Sequence, residues 1–277
     1  MKTSAYTRRH AIAVVAAAFT LALGSLTGCG SPAADNVLTV AASPAPHAQI
    51  LNDFVAPKLK EQGIDLKVKE YTDYILPNKD TSSGAVDVNY FQHVNYLNDY
   101  NKENGTDLVP VAAVHFEPMA VYAGASQDLS NIRDGATFAI PNDPTNEGRA
   151  LLLLQDQGLI TLKKADALTA TPKDIKDNPH NLKFQELEAA AIPRALGSVD
   201  FAVINGNYAI EAGYHVKDAL AREEAGSVAV DQYANILCVE PAKRDDDKVR
   251  ALSEILTSEE FGDYLSKNYG EDVLPAF

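Results

Sequence analysis

Arg149 stands where helix physics disfavours a cation. The stretch "IPNDPTNEGRALLLLQ", residues 140–155, closes a short strand at Ile140, turns through residues 141–144 and opens into a leucine-rich helix. Asp143 as N-cap with Pro144 at the first helical position is the start signal, and Thr145 is the other cap candidate. Arg149 then lies within about two turns of the positive end of the helix dipole, where a cation is mildly unfavourable. An anion at that spot would give the arginine a purpose. The first-turn N–H groups and the guanidinium would converge on it, and a carboxylate suits arginine because two parallel hydrogen bonds can form. The plainer alternative is an ion pair within the chain, with Glu147 or a distant aspartate. Spacing alone leaves both open.

Two further groups of polar and aromatic residues fall at strand ends. In "NYFQHVNYL", residues 89–97, Phe91 follows a strand, and His93 and Tyr96 are three apart; Tyr74 sits in the earlier "DYILPN". Aromatic walls with an imidazole edge suit a slender apolar or sulfur-containing group, since thioethers contact rings favourably. Helix–sheet packing would produce the same spacing. In "VINGN", residues 203–207, Asn205 closes an apolar strand, and Asn235 lies in the later "YANIL". A side-chain amide can accept from an ammonium and donate to a carboxylate. Turn chemistry accounts equally well for Asn205.

Other chemistries leave no trace. The chain has no P-loop, no G-x-G-x-x-G, no H-E-x-x-H, no C-x-x-C and no G-x-S-x-G. His47, His93, His115, His180 and His215 are dispersed, and no pair has helical metal spacing, so neither a metal nor a cofactor is expected. Nothing supports an enzyme. Cys238, in the apolar run "ANILCVE", reads as a buried inert thiol.

Strands and helices alternate from residue 37 onward. The strands are "VLTVAAS", "IDLKVKEY", "AVDVNYF" and "DLVPVAAV". Between them lie an amphipathic helix ending at Gly63, a short helix in "DYILPNKDTSSG" and the helix "QHVNYLNDYNKENG". The pattern restarts near Phe116 with "EPMAVYA", "ATFAI" and the Arg149 helix, then "NLKFQEL", "VDFAVIN" and "GNYAIEAG". "QYANILCV" is a late strand, followed by one long amphipathic helical region over residues 243–270 and the tail "EDVLPAF". The expected architecture is α/β in two lobes. One lobe spans 37–117 and 232–277, the other 118–231, with a ligand cleft between them.

The N-terminus reads as an export signal over residues 1–28. Lys2, Arg8 and Arg9 precede the apolar run "AIAVVAAAFTLAL", which is too short to span a bilayer comfortably. "LTGC" then resembles a bacterial lipobox. That resemblance implies cleavage before Cys29 and a diacylglycerol thioether on its sulfur; a plain signal peptide with a chance cysteine is the alternative. Residues 29–36 read as a flexible tether. The formal net charge of −14 argues against nucleic acid and against adhesion to anionic lipid, so membrane attachment falls to the acyl chains.

Taken in order, "DYILPN", "YFQHVNYL", "HFEPMAVYA", "AIPNDPTNEGRALLLLQ", "LTATPKDI", "ELEAAAIPRAL" and "DFAVINGNYAIEAG" resemble the MetQ/NlpA family of methionine-binding lipoproteins from about Val37 to the C-terminus. The resemblance implies a two-lobed periplasmic-binding-protein fold. It also implies delivery of L-methionine, with D-methionine or a derivative as the alternative, to an ABC importer of permease and ATPase at the extracytoplasmic face of the membrane. It makes Arg149 the carboxylate anchor, Asn205 and Asn235 the holders of the amino acid's polar end, and Tyr74, Phe91, His93 and Tyr96 the walls around the thioether. The chain departs from the family in places. Val94 and Asn95 stand where many members have Lys or Thr followed by Pro, Ala45 where Gly is frequent, and "DQYANILCV" replaces a run like "SPYVNIIV". "HFEPM" together with Glu147 resembles a variant common in Gram-positive members.

Overall fold

The computed structural model describes residues 36–224 and 232–277. The signal segment, Cys29 and the tether up to residue 35 lie outside the described residues, as does the stretch 225–231. Among the described residues no helix is long and apolar enough to cross a membrane.

The first sheet begins with β1 (Val37–Ala42), β2 (Asp65–Glu70), β3 (Val88–His93) and β4 (Val109–Phe116). The chain then builds a second sheet from β5 (Ala120–Ala123), β6 (Thr137–Pro141), β9 (Lys183–Leu187), β10 (Phe201–Ile204) and β11 (Ala221–Arg222), with β7 (Thr161–Leu162) and β8 (Ile175–Asp177) as a separate small pair. It returns to the first sheet with β12 (Asn235–Val239) and β13 (Leu274–Pro275). The sheet orders are β13-β4-β12-β3-β1-β2 and β11-β5-β10-β6-β9. β1 runs parallel to β2 and β3, whereas β12 inserts antiparallel between β3 and β4. In the second sheet β10 is parallel to β6 and antiparallel to β5.

Each sheet has its own apolar core. Leu38, Val40, Leu51, Val88, Leu237, Leu252 and Phe261 belong to the first, and Val121, Phe138, Leu151, Leu154, Phe201 and Val203 to the second. Helical turns at Pro44–Ala48 and Leu51–Val55 lead into α1 (Ala56–Glu61), followed by α2 (Leu76–Ser82) and α3 (Val94–Asn104). The second sheet carries α4 (Pro144–Asp156), α5 (Ile192–Ala195) and α6 (Gly206–Glu211). α7 (Asp247–Leu256) and α8 (Glu259–Asn268) close the chain.

Four details differ from the sequence reading. Gln92 and His93 belong to β3, not to the following helix; β12 pairs against them and keeps them extended. The long C-terminal helix is two, because Ser258 turns extended (ψ 153°) and its hydroxyl caps α8 by accepting from the Phe261 N–H. The tail ends in a strand, with Leu274 opposite Phe116. The β7–β8 pair falls in a stretch without alternation long enough to announce it.

Asp200 fastens the entry of β10 to β6. One carboxylate oxygen accepts from the Thr137 N–H (2.8 Å), the Thr137 hydroxyl (2.8 Å) and Arg133 Nη2 (2.6 Å); the other accepts from Ser126 and from Arg133 Nε. Burial pushes this carboxyl up, but the hydrogen bonds outweigh it and hold the group well below the usual carboxylate range. A depressed pKa stabilises the fold in full above the ordinary aspartate value, near about 4, and the contribution fades as pH falls towards the folded value. Asp200→Asn is therefore expected to cost about 1.5–3 kcal/mol at neutral pH. In urea titrations the gap to the wild type should narrow as pH drops below about 4. A gap that is the same at neutral and acid pH would remove Asp200 from this role.

Candidate functional site

The carboxyl ends of strands from both sheets face one cavity. It is lined by Tyr74, Phe91, Gln92, His93, Tyr96, Glu117, Asn146, Arg149, Asn205, Gly206, Asn207 and Asn235. All seven residues singled out from the sequence are among them. Strand register accounts for three: β3 ends at His93, and Asn235 opens β12 opposite both His93 and His115. β10 ends at Ile204, so Asn205 emerges at its tip and serves as the N-cap position of α6 without a side-chain cap bond.

Arg149 projects from the first turns of α4. Asp143 caps this helix as the sequence predicts, its carboxylate accepting from the Asn146 N–H at 3.0 Å, with Pro144 at the helix start. The cap has a consequence for the expected anion site. At least this first-turn N–H is spent on Asp143, so the helix end does not offer an open N–H cluster. The helix also packs closely against its surroundings: a Cβ on Gly148 would lie 2.3 Å from the Leu168 carbonyl oxygen, so only glycine fits beside Arg149.

The guanidinium is 4% exposed and paired. Nε donates to one oxygen of Glu223 at 2.8 Å and Nη2 to the other at 2.6 Å, a two-pronged grip across 74 residues of sequence. Nη2 also donates to the Glu117 carbonyl at 3.0 Å, and the Tyr233 ring lies 4.3 Å from the guanidinium carbon. Nη1 has no partner among the described residues. The ion-pair alternative is thus realised, but with a glutamate that spacing does not suggest. Glu147 is not the partner: burial first, and the neighbouring Glu186 carboxyl second, push its own carboxyl up.

The aromatic residues form one wall. Tyr74 lies 5.8 Å from Phe91, 5.7 Å from Tyr96 and 5.0 Å from Tyr208, centroid to centroid. Its hydroxyl donates to Asn207 Oδ1 at 2.5 Å, and the Tyr96 hydroxyl donates to the Tyr74 carbonyl at 3.1 Å. His93 caps α3 by accepting at Nδ1 from the Tyr96 N–H, which leaves Nε2 to donate to Asn146 Oδ1 at 3.2 Å. Burial, and then the Arg149 charge, push this imidazole down to about 3, so it is neutral. Asn146 Oδ1 also accepts from Asn205 Nδ2 at 2.8 Å and ties β3, α4 and β10 together.

Sequence reasoning misses a second polar group. Glu117, just after β4, is 5% exposed, and its carboxylate accepts from His115 Nε2 at 2.7 Å and lies 3.5 Å from His47 Nε2. Tyr90 donates to the other nitrogen of His115, and His47 Nε2 donates to Asn235 Oδ1 at 3.0 Å. Burial pushes His47 down to about 4 and His115 down to about 3, so both are neutral donors. The atoms of His47, His115 and Glu117 lie within 4.8 Å of one another, but the hydrogen bonds of His115 to Glu117 and of His47 to Asn235 already account for the arrangement. The only available signal was the strand-end position of "HFEP". His47 lies 70 residues before Glu117, and nothing in its own segment points there.

Three buried side-chain atoms in or beside this group lack partners among the described residues: His47 Nδ1, Asn205 Oδ1, an acceptor, and Asn207 Nδ2, a donor. Asn235, by contrast, spends its oxygen on His47. Cys238 behaves as expected, buried and pushed up to about 12 by burial.

A buried guanidinium stays charged, so removing it strands Glu223. Arg149→Met is expected to destabilise the fold by about 3–5 kcal/mol. Arg149→Met combined with Glu223→Gln should recover much of that, because the neutral amide still accepts from the Met119 N–H that Glu223 now holds. Chemical denaturation of both variants checks this, and equal losses would mean that the pair contributes no coupling.

Comparison with known proteins places this geometry. Residues 38–277 match the model of the NlpA lipoprotein family. The methionine-binding lipoprotein MetQ of Bacillus subtilis is 41% identical over 264 residues, covering 91% of this chain and 94% of that protein. The D-methionine-binding lipoprotein MetQ of Escherichia coli is 36% identical over 249 residues, 88% of this chain and 90% of its own. A solved nutrient-binding protein from Burkholderia cenocepacia, bound to methionine, superposes with a TM-score of 0.81 at 38% identity, covering 87% of this chain and 100% of the other. The two sheets with their separate cores are thus the two-lobed α/β fold of solute-binding proteins, and the chain belongs to the NlpA lipoprotein family.

Proposed function

We propose that this chain is a lipid-anchored, extracytoplasmic solute-binding protein and not an enzyme. It captures methionine between its lobes, 37–117 with 232–277 and 118–231, and delivers it to an ABC importer of permease and ATPase. Cys29 carries the acyl anchor, and the tether lets the lobes reach the permease. The observation that carries this reading is the meeting of Tyr74, Phe91, His93 and Tyr96 with Arg149, Asn205 and Asn235 around one cavity. A thioether suits the aromatic wall. A ligand carboxylate suits Arg149 Nη1, with Asn207 Nδ2 as a second donor; the two-pronged grip is already spent on Glu223. Neutral His93 offers the thioether an uncharged edge.

Capture and release follow from where the contacts lie. Phe91, His93 and Asn235 belong to the first sheet, while Arg149 and Asn205 flank strands of the second. A ligand that touches both sets has higher affinity for a closed arrangement and shifts the population towards it. No covalent step is needed. Methionine derivatives, short methionine peptides or another small apolar amino acid are the alternative ligands within the same class.

A thermal-shift titration of protein stripped of ligand by unfolding and refolding tests the reading. Ligand at about a hundred times its dissociation constant adds roughly 2.7 kcal/mol, which raises the melting point of a chain of this size by several degrees. L-methionine is expected to give that shift, the polar amino acids none, and Asn205→Ala a clearly smaller one. A shift with some other compound and none with methionine would keep the binding class and replace the ligand.

A further inference from the structure

We propose that Tyr208 sets how long a captured ligand stays. With Tyr74 it forms a latch between the two sheets at the outer wall of the cavity, made when the lobes close and broken when they open. This rests on the reading that the protein captures its ligand by closing; it adds the contact that holds the closed form against release.

One half of the latch lies between β2 and α2, and it is pinned along its length. The Tyr71 N–H donates to the Ala42 carbonyl at 2.9 Å. One carboxylate oxygen of Asp73 accepts from the N–H groups of Ile75 (2.7 Å) and Leu76 (2.8 Å), and the Tyr96 hydroxyl holds the Tyr74 carbonyl. The Thr72 carbonyl and the Tyr74 side chain are thereby presented in fixed positions. The other half is the start of α6, directly after β10, where Asn207 and Tyr208 are neighbours. The halves exchange hydrogen bonds. The Tyr74 hydroxyl donates to Asn207 Oδ1 at 2.5 Å, the Tyr208 hydroxyl donates to the Thr72 carbonyl at 3.0 Å, and the two rings lie 5.0 Å apart. Burial pushes both phenols up, so each keeps the proton it donates.

Tyr74 lines the ligand cavity, whereas Tyr208, 5% exposed, does not. Tyr208 instead borders a surface pocket of about 350 Å³, together with Thr72, Pro193, Arg194 and Glu211. The paired tyrosines are thus a partition between that pocket and the cavity, and Tyr208 acts on the ligand only through it. The strength of the tie suits this task. Thr72 is exposed, so on opening its carbonyl and the phenol regain water. Each bond then has the net value of an ordinary hydrogen bond, a factor of about three to ten in an equilibrium constant. That slows opening without preventing it.

A second set of ties between the sheets has a different place. Asp272 accepts from the Val216 N–H at 2.7 Å and from His215 Nδ1 at 2.6 Å, and Arg222 Nη1 donates to Glu271 at 2.7 Å. These lie where the chain passes from one sheet to the other: Arg222 is opposite Ala120 at the start of β5, and Leu274 is opposite Phe116 at the end of β4. Ties at a hinge persist in the open and closed arrangements alike, so they do not favour either. The tyrosine latch lies away from these crossings and is lost on opening.

The test is the ligand's dissociation rate, read by chasing radiolabelled L-methionine from detergent-solubilised full-length protein with excess unlabelled compound. The association rate follows from that rate and the equilibrium constant. Tyr208→Phe keeps the ring and removes the tie to Thr72. It should release ligand about three- to tenfold faster, with an association rate within about twofold of the wild type. The melting point of the ligand-free protein should stay the same. Tyr74→Phe, which keeps the cavity wall, should act likewise and is read if Tyr208→Phe does not fold. Arg222→Gln, at the hinge, should leave the release rate unchanged. Unchanged release in a folded tyrosine variant, an equal rise in both its rates, or equal acceleration in Arg222→Gln overturns the latch and leaves capture of the ligand standing. If the wild type takes another amino acid in the thermal-shift panel, the chase is run with that one. A wild type that binds no amino acid overturns both the latch and the capture on which it rests.

Discussion

A guanidinium cannot be neutralised by burial, so burying Arg149 commits the rest of the site to balancing it. Glu223 supplies the balance from the far end of the second sheet, just beyond β11, and is itself held by the Met119 N–H. That pairing decides which face of the arginine remains. Nε and Nη2 are spent, the Tyr233 ring covers the guanidinium plane, and Nη1 is left for the cavity. The orientation of the cation towards the cavity is thus fixed by a partner within the chain.

The same logic explains the polar network that joins the elements. Asn146 accepts from His93 of β3 and from Asn205 at the tip of β10, and its own backbone N–H is capped by Asp143. His47 and His115 stay neutral because burial would make their charged forms costly; His115 donates to Glu117, whose own carboxyl burial pushes up, and His47 donates to Asn235. Each sheet brings its polar residues to strand ends, where the backbone ladder stops and side chains can turn inward. The apolar cores beneath, Leu38 to Phe261 in one lobe and Val121 to Phe201 in the other, supply the stability that so many buried polar groups draw upon.

What the sequence discloses tracks the range of its signals. The α4 start is legible because Asp143 and Pro144 are local and mechanistic cues, and the β–α alternation is legible because period and punctuation repeat. Arg149 is conspicuous because it violates a local rule. Its partner is hidden, since nothing at Glu223 indicates a residue 74 positions earlier. His47 and Glu117 are hidden for the same reason, as is the placement of β12 between β3 and β4, which alone sets Asn235 between His93 and His115. The break between α7 and α8 is a different case. Ser258 followed by Glu259 and Glu260 is a cap signal of the kind read correctly at Asp143, but continuous amphipathic periodicity outweighs it.

The departures from the family pattern give one last step. Asn95 and Gln232 both fall at the departures from the proline-containing runs that the resemblance leads one to expect, and they lie far apart in the chain. In the fold they meet: Asn95 Nδ2 donates to the Gln232 carbonyl at 3.2 Å and to its side-chain oxygen at 3.3 Å. Proline at both positions would stiffen two backbones independently and carry no side-chain donor. Asparagine and glutamine replace that stiffness with a tie from α3 to the segment that enters β12. The tie lies beside Tyr233, which covers Arg149, and Tyr96, which walls the cavity. Two departures that look unrelated in sequence are therefore one contact in the fold. Rigidity that proline would build into each segment is here shared between them, at the rim of the site rather than within it.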